Sequence, residues 1–572
     1  MNNARKGIGV AAAVLCFAAG AAHGESPLLV VYPEGWHEAV TNFSAFKQRL
    51  GYDVRQTNLW DATGGQTNDP AALRSTLLAY YSSLAVTQQP GYVLLVGDFQ
   101  VVPAPLFQVD AGDTPYYSDI YYSIPDREFD GNGNGTNAEY GAAGDVTPAQ
   151  FDAFFTTLSN LLVVGRIPVP GTAGVETVRQ LLDALMTFER ETGGRKGQAL
   201  LTAGRIDTNA TPADSWQYVV RDLAGQLGSN YPARVFVTVA HVASNYADRT
   251  GIDYAVEGDS LSAGYTAGQN LVRGLWESND ACAFLCNVSH GGSFYDFALR
   301  RNGLGFPTNV HAAIVLSLSC ASYALGAAAL TAGVAAAYLG STAVVTPDVL
   351  TLLSASQMVS AEVQQRATLK IYGMTQTVGR VFREEFDYYV DRIPVTGWLT
   401  YQLYKPEILR NVVGFQIIGD PTLRLEHPDG DGDGLLDPEE AAVGTLPGDA
   451  DTDGDGLPDG YEFYTETLDP LTDNGPDVDG DGALNGDEWI AGTDPLAGAS
   501  FPWIGWNGEA EGMVLYWDSV TGRLYTVQQA TNATPFDWQD GSSVSTGTGA
   551  HIEFQPDTAP EAAFFRLTIS RP

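Results

Sequence analysis

Ala281-Cys-Ala-Phe-Leu-Cys-Asn-Val288 is an apolar run that stops at Ser289-His290-Gly291-Gly292. A second run, Ala312-Ala-Ile-Val-Leu-Ser-Leu-Ser319, stops at Cys320. A small-residue helical pattern follows over residues 325–339, then a third run, Ser341-Thr-Ala-Val-Val345. Continuous apolar runs separated by helix-sized segments suit strands of a parallel sheet covered on both faces. In such sheets chemistry collects just beyond the carboxyl ends of the strands. His290 and Cys320 each stand at such an end. If the two strands are neighbours, an imidazole and a thiol meet at one rim, as a Cys-His nucleophile pair requires.

The same alternation extends outward. Apolar runs at 27–32, 92–98, 160–168, 198–204 and 233–240 read as further strands. Residues 36–50, 174–192 and 361–390 read as helices, 52–54 opens a short second strand, and 414–425 reads as a strand, a turn and a strand. This order predicts an α/β domain, a mostly parallel sheet with helices on both faces, over residues 25–425. Residues 426–500 then turn to Asp, Gly, Pro and Thr. Residues 501–572, rich in Trp, Tyr, Thr and Gly with short alternating runs, predict a small all-β module. It carries no chemical constellation, and binding or cell-surface attachment is the role expected of it.

A chain of 572 residues has room for several domains with a large core. Its start reads as a secretory signal over residues 1–24: Arg5 and Lys6, an apolar stretch over 8–22, then Ala22-His23-Gly24 as cleavage site. Export follows, to the extracellular space, the cell surface or the periplasm, and no other segment is expected to cross a membrane. Cys16 leaves with the signal, so Cys282, Cys286 and Cys320 remain, an odd count that leaves a thiol unpaired. Cys282 and Cys286 would lie about 13 Å apart along one strand, too far to bridge. A net charge of −38 argues against nucleic acid or an anionic membrane as partner.

That charge concentrates in the tail, where three loops share one design. Asp429, Asp431, Asp433, Gly434, Asp437 and Glu440 occupy positions 1, 3, 5, 6, 9 and 12 of a twelve-residue loop. Asp451, Asp453, Asp455, Gly456, Asp459 and Glu462 repeat it, and Asp477, Asp479, Asp481, Gly482, Asn485 and Glu488 repeat it again. Oxygen ligands at alternate positions, a glycine for the turn and a distal Glu are what calcium needs; zinc would call for His or Cys. A fourth candidate sits in the α/β domain, where Asp130, Asn132 and Asn134 alternate with glycines ahead of Glu139. Those residues equally suit a plain turn. The loops of the tail lie too close together for EF-hand helices, and the tail is similar to thrombospondin type 3 repeats. It should be stiff with calcium and unravel without it.

His290 is followed by two glycines, so backbone can approach a ligand there. The N–H groups of Gly291 and Cys320 are candidate oxyanion donors. Apolar strand-Ser289-His290-Gly291, then apolar strand-Cys320 thirty residues on, resembles the gingipain-type cysteine peptidases of the caspase-like fold. Tyr92-Val-Leu-Leu-Val-Gly-Asp98, Val164-Gly-Arg-Ile-Pro168 and Gly419-Asp-Pro-Thr-Leu423 resemble further segments of that family in order. The resemblance implies protein or peptide substrates, Cys320 as nucleophile, His290 as general base and no organic cofactor. It also implies an acid supporting the histidine, but the matching place is near Arg205, with Asp207 two residues on. Family members that cleave after Arg or Lys hold the substrate cation on a carboxylate. Asp214 falls about there and equally suits a helix N-cap. Gly-x-Ser-x-Gly is absent around Ser289. The rival expectation is a non-catalytic adhesin, a peptidase-like scaffold on a calcium stalk.

Overall fold

The structure, a computed structural model, describes residues 26–140, 144–147, 162–192, 194–197, 199–203, 235–240, 252–257, 282–288, 291–292, 295–296, 306, 312–318, 321–342, 366–368, 376–392, 405–465, 468–472, 475–500, 502–507, 514–530, 538–540, 545–555 and 564–570. The signal segment 1–24, Arg205, Asp207, Asp214, His290 and Cys320 lie outside these described residues. The chain divides into two compact units, residues 1–428 and 429–572.

The first unit is built on one 11-stranded sheet. Its strands are β1 (Ser26–Tyr32), β2 (Tyr52–Asn58), β3 (Gly91–Val96), β4 (Leu162–Ile167), β5 (Ala199–Ala203), β6 (Val235–Ala240), β7 (Ile252–Glu257), β8 (Phe284–Val288), β11 (Ala313–Leu318), β12 (Ala335–Ser341) and β13 (Phe415–Gly419). A separate hairpin, β9 (Gly291–Gly292) with β10 (Tyr295–Asp296), falls between β8 and β11. Helices α1 (His37–Arg49), α2 (Val175–Arg190), α3 (Tyr323–Thr331), α4 (Val378–Arg392) and α5 (Lys405–Gly414) connect the strands. The order across the sheet is β2-β1-β3-β4-β13-β12-β11-β8-β5-β6-β7. Successive β1 residues divide between two cores, Leu28 and Val30 on one face, Leu29 and Val31 on the other, so both faces are covered. α1 seals one face with Ala39, Val40, Phe43 and Phe46, a stripe of helical period.

Nine of the ten pairings are parallel. The exception is β12 against β13, where Ala337 faces Gly419 and Ser341 faces Phe415. The sheet is therefore two parallel blocks running in opposite directions and joined at that seam.

Two expected boundaries are corrected. The helix expected over 325–339 ends at Thr331, with Gly333 at φ +71 turning the chain, and the third strand is Ala335–Ser341 rather than 341–345. All seven β12 residues are buried. An alanine-rich segment reads as helix on propensity, but wedged between two strands it takes the sheet conformation. The second strand expected before Leu425 does not form either. After β13 the backbone bonds to α4 instead: Gly379 N–H donates to Pro421 O (2.8 Å) and Val378 N–H to Leu423 O (2.8 Å).

Beneath this segment lies a fully buried charge cluster. Lys47 of α1 pairs with Glu189 of α2 and with Asp420 (2.6 Å), and His427 Nε2 approaches Glu189 at 3.3 Å. Burial alone would push Glu189 up, but Lys47 and His427 bring it down to about 2. Lys47→Met removes the cation shared by two buried carboxylates and is expected to cost the first unit about 3–5 kcal/mol, read from denaturant unfolding. The Glu189 contribution is complete above about pH 4.5 and is lost as pH falls toward 2, because its folded pKa lies below its unfolded one. Acid unfolding in wild type should fall in that window, and a flat profile there would contradict the assignment.

The second unit holds three short helices, α6 (Asp437–Val443), α7 (Asp459–Thr465) and α8 (Asn485–Ala491), followed by short strands. Among the latter, β14 (Gly505–Asn507), β15 (Val514–Asp518), β16 (Leu524–Ala530), β17 (His551–Phe554) and β18 (Phe564–Ser570) close over Leu515, Trp517, Tyr525 and Val527. No described helix is long and apolar enough to cross a membrane.

Candidate functional site

The rim that matters lies beyond β8 and β11. The two are direct neighbours, parallel and in register from Phe284 opposite Ile314 to Val288 opposite Leu318. On its other side β8 pairs with β5, Val288 facing Ala203. The apolar runs make this a strand pair buried on both faces, with Asn287 facing Ser317 as its one polar pair. In sequence His290 stands two residues past Val288, and Cys320 two residues past Leu318.

Past β8 the chain folds back at once. Gly292 pairs with Tyr295 and Gly291 with Asp296, across a two-residue connection. Past Cys320, Ala321 adopts φ +44, a left-handed conformation that a non-glycine residue rarely takes, and α3 begins two residues later. Tyr323, in the first turn of α3, stacks on Phe99 (4.7 Å), and Phe99 stacks on Tyr117 (4.9 Å).

Arg166 of the Gly-Arg strand is fully buried and binds Asp119 bidentately, Nε to Oδ2 at 2.8 Å and Nη2 to Oδ1 at 2.6 Å. Its Nη1 donates to Gly97 O (2.8 Å) and Val102 O (2.7 Å), and Phe99 lies 4.6 Å below its guanidinium. Arg166 belongs to the Gly-Arg pair singled out in the sequence, and Asp119 lies 47 residues before it. Their union is a long-range ion pair that no local spacing signals.

In the Asp130 loop, Asp130 accepts from Asn134 N–H (3.0 Å) and Gly135 N–H (2.9 Å). Glu139 Oε2 accepts from the amides of Asn132 (3.0 Å) and Asn134 (2.6 Å). Asp145, which the sequence reading missed, accepts from Asn132 N–H and Glu139 N–H, both at 3.1 Å. These polar groups satisfy one another as a turn does.

The tail differs. Asp429, Asp431 and Asp433 bring carboxylate oxygens within 4.8 Å of one another, as do Asp451, Asp453 and Asp455, and Asp477, Asp479 and Asp481. The position-6 glycines all adopt φ +95, which only glycine takes readily. Each position-1 aspartate accepts from its loop backbone, for example Asp451 from Gly454 and Gly456 N–H (both 2.9 Å). The position-9 residues turn to the backbone as well: Asp437 to Gly430 N–H (2.7 Å), Asp459 to Thr452 N–H (2.9 Å) and Asn485 to Val478 N–H (2.9 Å). They brace the loops.

Other oxygens have no hydrogen-bond donor. Both carboxylate oxygens of the fully buried Glu440 lack one, as do Oε2 of the buried Glu488 and Oδ2 of Asp431, Asp453 and Asp479. Burial, then the neighbouring aspartates, push Glu440 and Glu488 up to about 7 and Glu462 to about 8. Burial likewise pushes Asp433 up to about 6. Buried, mutually repelling carboxylates without donors fit a hard divalent cation.

The bacterial TSP3 repeat model matches residues 429–447, 451–467 and 477–497. No curated protein matches the chain. Solved structures similar to it include the Arg-specific cysteine proteinase gingipain R (RgpB), at 12% identity over 96% of this chain and 95% of that one, with a TM-score of 0.45. A complex of Porphyromonas gingivalis RgpB pro- and mature domains matches at 12% identity over 95% and 99%, with a TM-score of 0.44. The model of peptidase family C25 matches residues 22–426, most of the chain, and the chain belongs to that family of cysteine peptidases.

Proposed function

We propose that the chain is an exported cysteine endopeptidase working through Cys320 and His290. The observation that carries this is the parallel register of β8 with β11, which ends both strands level, each two residues short of one member of the dyad. The Cys320 thiolate attacks the scissile carbonyl carbon, and the oxyanion is received by the N–H groups of Gly291 and Cys320. The His290 imidazolium protonates the leaving amine as the C–N bond breaks, giving a thioester. Water, deprotonated by His290, then attacks the thioester carbonyl and releases the carboxylate and the thiol. A basic P1 preference, with Asp214 taking the cation, completes the reading of the substrate.

The tail is proposed to be a calcium-stiffened spacer. Asp429, Asp431, Asp433 and Glu440 would hold one ion, and the equivalent residues of the other two loops two more. Calcium there supplies charge neutralisation and rigidity and takes no part in hydrolysis.

An acyloxymethyl-ketone peptide tests the enzyme reading. The protein should take up one label, mapped by mass spectrometry to Cys320 and lost in Cys320→Ala. A chain that never labels, or labels elsewhere, is a scaffold.

A further inference from the structure

Three residues past Cys320 in sequence, the ring of Tyr323 joins an aromatic cluster built around a buried cation. Tyr323 stacks on Phe99 (4.7 Å), Phe99 stacks on Tyr117 (4.9 Å), and the Arg166 guanidinium lies 4.6 Å from Phe99. Arg166 also fixes what supports those rings. Its Nη1 donates to the carbonyls of Gly97, Asp98 (3.1 Å) and Val102, the turn that carries Phe99. Its bidentate bond to Asp119 holds the segment that carries Tyr117. Asp119 N–H in turn donates to Gln416 Oε1 (3.1 Å), whose amide donates to Tyr117 O (3.0 Å). One cation thus places Phe99 and Tyr117, and through Phe99 the first turn of α3.

A second tie stands beside the first. Ser322 is fully buried, and its Oγ accepts from Ser341 N–H of β12 (3.4 Å). Between these ties and Cys320 stands Ala321, at φ +44. A left-handed conformation at a non-glycine residue persists only where its surroundings over-determine it. Ser322 and Tyr323, each fastened to another part of the fold, supply that constraint on one side of Ala321.

We propose that the Phe99–Tyr323 stack on Arg166 positions the nucleophile, holding the Ala321 turn in its left-handed form and so setting where Cys320 meets its base. This rests on the reading of Cys320 as nucleophile. Tyr323, Phe99 and Arg166 act through the turn and do no chemistry themselves. The Tyr323 hydroxyl is buried without a hydrogen-bond partner among the described residues, so the ring carries the role.

The test compares full-length variants on a fluorogenic peptide, with active sites counted by the acyloxymethyl-ketone label. Tyr323→Leu should lower kcat per labelled site about 10- to 100-fold and leave KM within about twofold, the cost of a misplacement of about 1 Å. Iodoacetamide alkylation of Cys320 is followed against pH by mass spectrometry. In Tyr323→Leu its acid limb should move up toward the ordinary thiol value of about 8.5, because the sulfur has drawn away from the imidazolium. Tyr323→Phe keeps the ring and should restore both readouts. Phe99→Leu, which leaves α3 itself unaltered, should reproduce both losses. Leu330→Ala, a buried change in the last turn of α3, should lower the thermal midpoint and move neither readout. Wild-type kcat and acid limb in both Tyr323→Leu and Phe99→Leu, or equal losses in Leu330→Ala, would overturn the positioning role while Cys320 still labels. A wild type that does not label at Cys320 would overturn the nucleophile, and this inference with it.

Discussion

Cys320→Ala is expected to lower kcat for peptide hydrolysis by about four to six orders of magnitude, measured with a fluorogenic peptide on purified protein. His290→Ala should lose a comparable amount, and the double variant should be no worse than either single one, since nucleophile and base act as a unit. The control comes from the other thiols. Cys282 and Cys286 are buried in the core of the sheet, and burial pushes the Cys282 thiol up to about 12. At neutral pH it is a thiol with no route to substrate, so Cys282→Ala should leave kcat within about twofold while lowering stability slightly. Full activity in Cys320→Ala would end the dyad, whatever the family.

Why some elements were legible in the sequence and others were not comes down to how locally each is encoded. The runs 281–288 and 312–319 are mostly apolar because the strands are buried on both faces, and that made their existence and extent readable from the chain alone. Their adjacency is a tertiary fact, and the parallel register runs from Phe284 opposite Ile314 to Val288 opposite Leu318. The reversal at the β12–β13 seam was not readable, because Ala335–Ser341 looks helical by composition and only its neighbours make it a strand. Arg166 with Asp119, and Lys47 with Glu189 and Asp420, join residues far apart in sequence, so each partner alone looks like an ordinary charged residue.

In the tail the repeat was plain, but spacing could not separate the carboxylates that gather from those that bind the loop backbone. Positions 1, 3 and 5 gather, while position 9 turns to the backbone of its own loop. The Asp130 loop shares the alternation of positions 1, 3 and 5, but its glutamate, Glu139, stands at position 10 instead of 12. There Asn132 and Asn134 donate to Glu139 through amides that a carboxylate lacks, so the glutamate has donors where Glu440 has none.

Chelation of calcium is expected to collapse the second unit while the first stays folded. At a free concentration about a hundredfold above Kd, each bound ion stabilises the folded form by about 2.7 kcal/mol, so three together approach about 8 kcal/mol. That is comparable to the whole stability of a small domain. With EDTA, limited proteolysis should cut within 429–500 at neutral pH, and excess calcium should restore protection. The pH dependence carries the sign. Without metal, Glu440, Glu462 and Glu488 have folded pKa values of about 7, 8 and 7, above their ordinary range. Their protonated forms suit the folded loops, so the apo array is most resistant near pH 4.5 and loses resistance as pH rises through 7 to 8. With calcium the slope reverses, because the ion needs those same carboxylates deprotonated. The two protease-resistance curves should therefore meet at acid pH, where the protonated loops no longer hold the ion, and part as pH rises. Parallel curves, or a tail equally protected with and without chelator at pH 7.5, would mean that these carboxylates do not hold the cation.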